Sequence, residues 1–308
     1  MTPHRHPVTP PCHQENCDDT LLAPTLSVVV PSHLHAGLLA ACLAAVARHA
    51  PAGTEVIVAD DASAGHSISR VAESFGVRCV RLTRRGGFCA AVNAGLAVAR
   101  GPVVELLNDD TEVQAGWADA ALRHFNDPRV VAVAPLVLRH GTSTIDTAGD
   151  EYHRGGYATK RGHGVPWADA PDALRVAGPV WGVSAAAGFY RRSALEAVGG
   201  FPADFGAYFE DVDVSHRLRA AGGEVWYEPA SVVWHHVSAS YGRRPSRRTL
   251  EAQSCNEERV WWRNTPRAAR LRGLPLHLAV LAGKALRRQG EGTLAPWLAG
   301  RIRGLLTR

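Results

Sequence analysis

The chain has 308 residues, 46% of them hydrophobic and 20% charged, with a net charge of +5 at pH 7. That length buries a sizeable core without disulfide staples, as one large domain or two small ones, and the composition excludes collagen-like, coiled-coil and wholly disordered chains. No run of about 18 apolar residues occurs, so no transmembrane helix is expected.

Residues 1–24 are polar and Pro-rich and have no apolar segment of the kind a secretory signal needs. They read as a disordered leader, and the cytoplasm is the expected compartment. Cys12 and Cys17 lie near His4, His6 and His13. A metal clip there is the alternative, but no C-x-x-C pair supports it.

From residue 26 the chain alternates between short β-branched runs and Ala/Leu-rich stretches. LSVVV (26–30) reads as a buried parallel strand, followed by a helix over 37–49. A strand at 55–59 (EVIVA), a helix at 67–75 and a strand at 77–82 come next. A helix at 88–99, a strand at 102–107, a helix at 115–125 and a strand at 130–137 complete about 110 residues of α/β pattern. Residues 139–178 are rich in Gly, Pro and polar side chains and read as a long irregular connection, the usual home of substrate-binding loops. A short helix at 193–198, a helix at 211–221 and short strands at 225–227 and 231–235 follow. The tail from Arg243 reads as helical, broken at Pro266, Pro275 and Pro296.

Charge is divided unevenly. Residues 243–308 hold 15 Arg and Lys against 4 acids, net +11, while the first 242 residues are net −6. A basic tail on an acidic body implies an anionic partner surface for the tail. Within it, residues 273–283 form an uncharged stretch of eleven residues flanked by Arg270, Arg272, Lys284, Arg287 and Arg288. That stretch is too short to span a bilayer and suits peripheral contact with an anionic membrane, or packing as a solvated helical cap.

Four constellations carry chemistry. Asn108-Asp109-Asp110-Thr111 follows an apolar strand; neighbouring carboxylates repel, and a hard divalent cation would relieve them, although the same residues also make a capped turn. Asp60-Asp61-Ala62-Ser63 follows EVIVA; an Asp there either accepts a bond from the imide N–H of a pyrimidine base or caps the next helix. Glu210, Asp211 and Asp213 open a helix whose N-terminal dipole favours negative charge, as a general base or as a dipole-matched first turn. Asp213 is set to pair with Arg217 one turn on, and Glu210 falls just before the helix. Last, Trp234-His235-His236 ends a short strand, where a neutral imidazole can bind a metal or serve the fold.

In this order these segments resemble the family 2 glycosyltransferases, with the GT-A fold, and most closely rhamnosyl- and galactofuranosyl-type sugar transferases. The matching pieces are LSVVVPSH (26–33), VIVADDAS (56–63), GGFCAAVNAG (86–95), LLNDDTEV (106–113) and the block GGFPADFGAYFEDVDVSHRLRAAGGEVWYEPASVVWHH (199–236). The resemblance implies an α/β catalytic domain over 25–242, a Rossmann-like, mostly parallel sheet flanked by helices, with 243–308 as a basic helical extension. It implies an inverting transfer of sugar from a dTDP- or UDP-linked donor to a sugar, lipid-linked or small-molecule acceptor hydroxyl, with Mn2+ or Mg2+ and no nucleic-acid partner. Pro31, Ser32, Asp60, Ser63, Arg85, Asn93, Asn108 and Asp109 would face the nucleotide-sugar. Asp110 and His235 would hold the metal, Asp211 would be the base, and Glu210 and Trp181 would face the acceptor. Arg85, Ala90, Ala91, Ala185 and Asn108 depart from the family's usual residues and bear on donor identity. The competing readings are a sugar-nucleotide nucleotidyltransferase, for which PSHLHAG after the first strand is the wrong phosphate loop, and a non-catalytic nucleotide-sugar-binding protein.

Overall fold

The computed structural model describes residues 23–237 and 245–308; the leader and its Cys and His residues therefore lie almost wholly outside the described part. In chain order the elements are β1 (Leu26–Ser32), α1 (Ala36–His49), β2 (Thr54–Asp60), α2 (Ser67–Ser74), β3 (Arg78–Arg81), α3 (Phe88–Leu96), β4 (Val103–Leu107) and β5 (Thr111–Val113). Then come α4 (Trp117–Leu122), β6 (Val130–Arg139), β7 (Ile145–Thr147), β8 (Asp150–His153), β9 (Tyr157–Lys160), β10 (Gly178–Pro179), β11 (Ala187–Arg191) and α5 (Arg192–Ala197). The chain continues through α6 (Glu210–Ala220), β12 (Glu224–His235), α7 (Arg247–Asn264), α8 (Arg267–Gly290) and α9 (Leu294–Leu306).

The main sheet runs β10-β12-β6-β11-β4-β1-β2-β3, with β5 added to β12 and β7 to β6. Strands β4, β1, β2 and β3 are mutually parallel, as are β6 and β12, and β11 lies antiparallel between β4 and β6. Two cores sandwich the sheet because successive strand side chains face opposite ways. In β1, Val28 and Val30 pack with Leu39, Leu43, Val46, Ile68 and Trp117, whereas Val29 packs with Val92, Leu106, Val212 and Leu218.

Three local readings need correction. Residues 139–178 are not uniformly irregular: β7 extends the main sheet, and β8 and β9 form a hairpin. Their runs of three and four residues are too short for alternation to show. The strands expected at 225–227 and 231–235 are one strand, β12, whose register slips against β6 between Glu228 and Val232. Pro229 sits at that irregularity, where a missing ladder donor is tolerated. Pro275 lies inside α8 and does not end it. The carbonyl it deprives of a partner belongs to Leu271, which is 70% exposed and open to water.

The tail is docked, not appended. Asn256 of α7 donates from Nδ2 to the carbonyls of Phe205, Ala207 and Tyr208 at 2.9, 2.9 and 3.0 Å. Tyr208 and Phe209 carry positive φ of 73° and 64°, strained for side chains of that size, immediately before α6. Helix α9 lies against α7 at backbone distance, since a Cβ at Gly300 or Gly304 would strike the carbonyl oxygen of Glu251 or Cys255. Between these helices Arg301 is buried against Glu257 and Glu258, its Nη1 2.9 Å from Glu258 Oε2. Among the described residues no helix is long and apolar enough to cross a membrane.

Candidate functional site

Parallel strands end together, and ligands of such sheets lie beyond their carboxyl ends. Here β1 ends at Ser32, β2 at Asp60 and β4 just before Asn108. At the end of β4 opens a cleft of about 310 Å³ whose lining includes Asn108, Asp150, Lys160, Glu210, Asp211 and His235. Four of the residues singled out from the sequence (Asn108, Glu210, Asp211 and His235) thus converge on one cavity from three separate segments.

The Asp110–His235 pair lies at its rim. His235 Nε2 is 3.2 Å from Asp110 Oδ1, and its Nδ1 is 3.0 Å from Asp146 Oδ2. Asp146 is itself held by Lys160 Nζ at 2.9 Å. Burial pulls the His235 imidazole down, but hydrogen bonds and charge from Asp110 and Asp146 outweigh it and lift the ring to about 9. Burial works against the Asp146 carboxylate too, yet His235 and Lys160 hold it well below the usual carboxylate range. This is the arrangement that orients metal-binding histidines: a carboxylate on one ring nitrogen, the other nitrogen turned to the ion. Next door, Ser32 Oγ donates to Asp109 Oδ2 at 2.6 Å. Burial foremost, with the charge of Asp110, raises Asp109 to about 6 against that bond. Paired buried acids and an oriented imidazole are a donor set that fits a divalent cation.

The acid helix lies across the cleft. Glu210 is the first residue of α6, not the residue before it. It is buried, and among the described residues its Oε2 has no hydrogen-bond partner. Asp211 accepts from the Ala185 N–H at 3.1 Å and from its neighbour Val212 at 2.8 Å. Burial nonetheless raises its pKa, and burial plus the Asp211 charge raises those of Glu210 and Asp150. Desolvation thus works against the charge-favouring start of the helix. Asp213 points elsewhere, to Arg217 Nε at 2.8 Å and Asn264 Nδ2 at 2.7 Å.

Other candidates are tied into the fold. Asp60 is fully buried and accepts from Ser63 N–H at 2.8 Å, Ser69 Oγ at 3.2 Å and Arg81 Nη1 at 2.5 Å, bonds that hold the turn after β2. Ser63 Oγ donates to the His33 carbonyl, and Pro31 is buried in β1. Asp61 takes the Gly86 and Gly87 N–H groups at 2.6 and 2.9 Å, fixing the start of α3. Arg85 is mostly exposed, 3.9 Å from Asp61. Asn93 bonds both backbone groups of Phe201, at 2.8 and 3.0 Å, and joins α3 to the loop before α6. Trp181 stacks on Tyr152 with ring centroids 5.0 Å apart and lines a different depression. Asp146, Asp150 and Lys160 were missed. All three sit on β7–β9, where no motif or periodicity marked them.

A mostly parallel sheet between two helical layers, with acids and a histidine at its strand ends, is the architecture of the GT-A glycosyltransferases. It superposes on GalNAc-T7, solved with UDP, GalNAc and Mn2+, with a TM-score of 0.63 over 79% of this chain and 48% of that one, at 19% identity. The chain belongs to glycosyl transferase family 2, whose model matches residues 27–199. It is 32% identical over 59% of its length to a pre-mycofactocin glycosyltransferase of Mycobacterium tuberculosis. It is also 31% identical over 60% of its length to the N-acetylglucosaminyl-diphospho-decaprenol L-rhamnosyltransferase of the same species. It spans 37% and 65% of those two relatives.

Proposed function

We propose that this protein transfers a sugar, with inversion, from a UDP- or dTDP-linked donor to an acceptor hydroxyl, and that it needs Mn2+ or Mg2+. The observation that carries this reading is the convergence of Asn108, Asp211 and His235 on one cleft at the strand ends. Asp110 and His235 would hold the ion, with Asn108 and Asp109 toward the ribose and diphosphate. A divalent ion bound there supplies charge neutralisation to the diphosphate leaving group. Asp211 takes the proton of the acceptor hydroxyl as that oxygen bonds to the anomeric carbon and the bond to diphosphate breaks on the opposite face. The burial that raises its pKa suits a base working near neutrality. Glu210 faces the acceptor. Incubation with a panel of nucleotide sugars and Mn2+ or Mg2+ tests the reading: release of nucleoside diphosphate supports it, and release of pyrophosphate from a nucleoside triphosphate overturns it.

If Asp110 and His235 share one ion, alanine at either weakens metal-dependent nucleotide binding, and the double variant is little worse than either single one. Additive losses by calorimetry would give the two residues separate roles.

A lipid-linked acceptor fits the decaprenol-linked relative and the tail. Helices α8 and α9 leave Leu271, Leu276, Leu278, Leu286, Ile302 and Leu306 exposed among arginines. Such a surface suits peripheral contact with an anionic bilayer, at the inner face of the plasma membrane. Flotation with anionic vesicles at low salt is expected to carry the protein, and neutral vesicles to leave it behind; absence from both ends this part of the reading.

A further inference from the structure

Strand β12 ends at His235, which lines the cleft, and a second histidine, His236, follows it. This second histidine lies with His140 and Glu112 in a separate cluster. The three come from adjoining strands: Glu112 is in β5, paired across from Trp234 of β12, and His140 follows β6, whose Arg139 pairs with His235. Their backbones are fixed by hydrogen bonds, from His140 N–H to the His235 carbonyl at 2.8 Å and from His236 N–H to the Asp110 carbonyl at 2.9 Å. Rigid strand ends therefore set the positions of all three side chains.

The side chains converge. His236 Nε2 is 2.9 Å and His140 Nε2 is 3.3 Å from Glu112 Oε1. The two rings stack, with centroids 3.8 Å apart and planes 17° from parallel. One potential ligand atom from each residue lies within 4.8 Å of the other two. Four ligands at the zinc bond length stand about 3.3 Å apart along a tetrahedron's edges. Glu112 Oε1 already stands near that spacing from both imidazoles, and one ring turning out of the stack would aim both nitrogens at an ion between the three side chains.

We propose that Glu112, His140 and His236 form a second metal site, for a borderline divalent ion of the zinc class, distinct from the Asp110–His235 pair. Two imidazoles and one carboxylate are a donor set that zinc favours over the hard, oxygen-seeking Mg2+ and Mn2+. The side chains of Glu112, His140 and His236 are 32%, 42% and 25% exposed, so water can complete the coordination. One divalent ion would satisfy both ring nitrogens and the carboxylate together. The ion would fasten the ends of β5, β6 and β12, the strands that lead into Asp110 and His235. The inference does not depend on the transfer reaction.

The test is zinc titration of metal-free full-length protein by calorimetry, with excess Mg2+ and no nucleotide, comparing wild type with His140→Ala/His236→Ala and with Asp110→Ala/His235→Ala. Any affinity of the His and Cys residues between positions 4 and 17 is common to all three proteins and cancels in the comparison. Wild type and Asp110→Ala/His235→Ala are expected to bind one more equivalent than His140→Ala/His236→Ala. Glu112→Gln is expected to weaken that equivalent at least about tenfold, a loss of the size that even supporting residues of metal sites produce. Co2+ in place of zinc is expected to give the visible absorption of a tetrahedral site only where His140 and His236 are present. Circular dichroism of the metal-free variants checks folding. Equal zinc uptake in wild type and His140→Ala/His236→Ala, or loss of the equivalent in Asp110→Ala/His235→Ala alone, overturns the proposal.

Discussion

Asp211→Asn is expected to reduce sugar transfer by at least about 10²-fold, the lower end of what a positioned base contributes, and to leave nucleotide-sugar affinity little changed. The amide keeps the shape of the side chain, and its single oxygen can still accept from one of the two N–H groups, of Ala185 and Val212, that the carboxylate takes on separate oxygens. What it loses is the capacity to take the acceptor proton. Because burial raises the pKa of Asp211, the acidic limb of the wild-type pH–rate profile should lie above the ordinary carboxylate range. Activity falls as pH drops through it, since a protonated Asp211 has no room for another proton. Glu210 is its buried neighbour, so the limb belongs to the pair and not to one residue. Steady-state kinetics and donor titration together measure the effect. Retained turnover in Asp211→Asn with loss in Glu210→Gln moves the base to Glu210.

The second large effect is on stability. Arg301→Met should lower stability by about 3–5 kcal/mol, the cost of breaking a buried ion pair from one side. Methionine roughly fills the space but leaves Glu257 and Glu258 buried with less compensating charge. Lys284 still reaches Glu257, and Trp262 Nε1 still donates to Glu258 at 2.6 Å, so the network is weakened without being emptied. Adding Glu257→Gln and Glu258→Gln should recover part of the loss, because removing a whole buried pair costs far less than removing half of one. Urea denaturation followed by tryptophan fluorescence reads both; a loss under about 1 kcal/mol in Arg301→Met would show these charges to be well solvated in the folded protein.

Strands β1, β2, β4 and β6 were legible because they are apolar, largely β-branched runs that are mostly buried in the sheet, a pattern that loops and surface helices rarely share. Asp110, Asp211 and His235 were legible through their flanking segments. Asp146, Asp150 and Lys160 were not, because three- and four-residue strands repeat nothing and their charged residues resemble loop residues. Asp60 marks a different limit: the sequence left base contact and helix cap open, and only the positions of Ser63, Ser69 and Arg81 show how its oxygens are used. Pro275 misled for a physical reason. Proline costs a hydrogen bond only where the partner has nowhere else to turn, and that is a property of surroundings, not of sequence.

The grip of Asn256 on the loop before α6 has a temporal consequence. Residues 205–208 are synthesised about fifty positions before the side chain that takes up their carbonyls. A nascent chain that has completed its strands, through β12, has every cleft residue named above, yet the turn presenting Glu210 and Asp211 still lacks its clamp. Domains assemble from the N-terminus during translation. In this chain the sheet can be finished first, and the bonds that Asn256 makes to the loop before the acid helix can form only after α7 emerges.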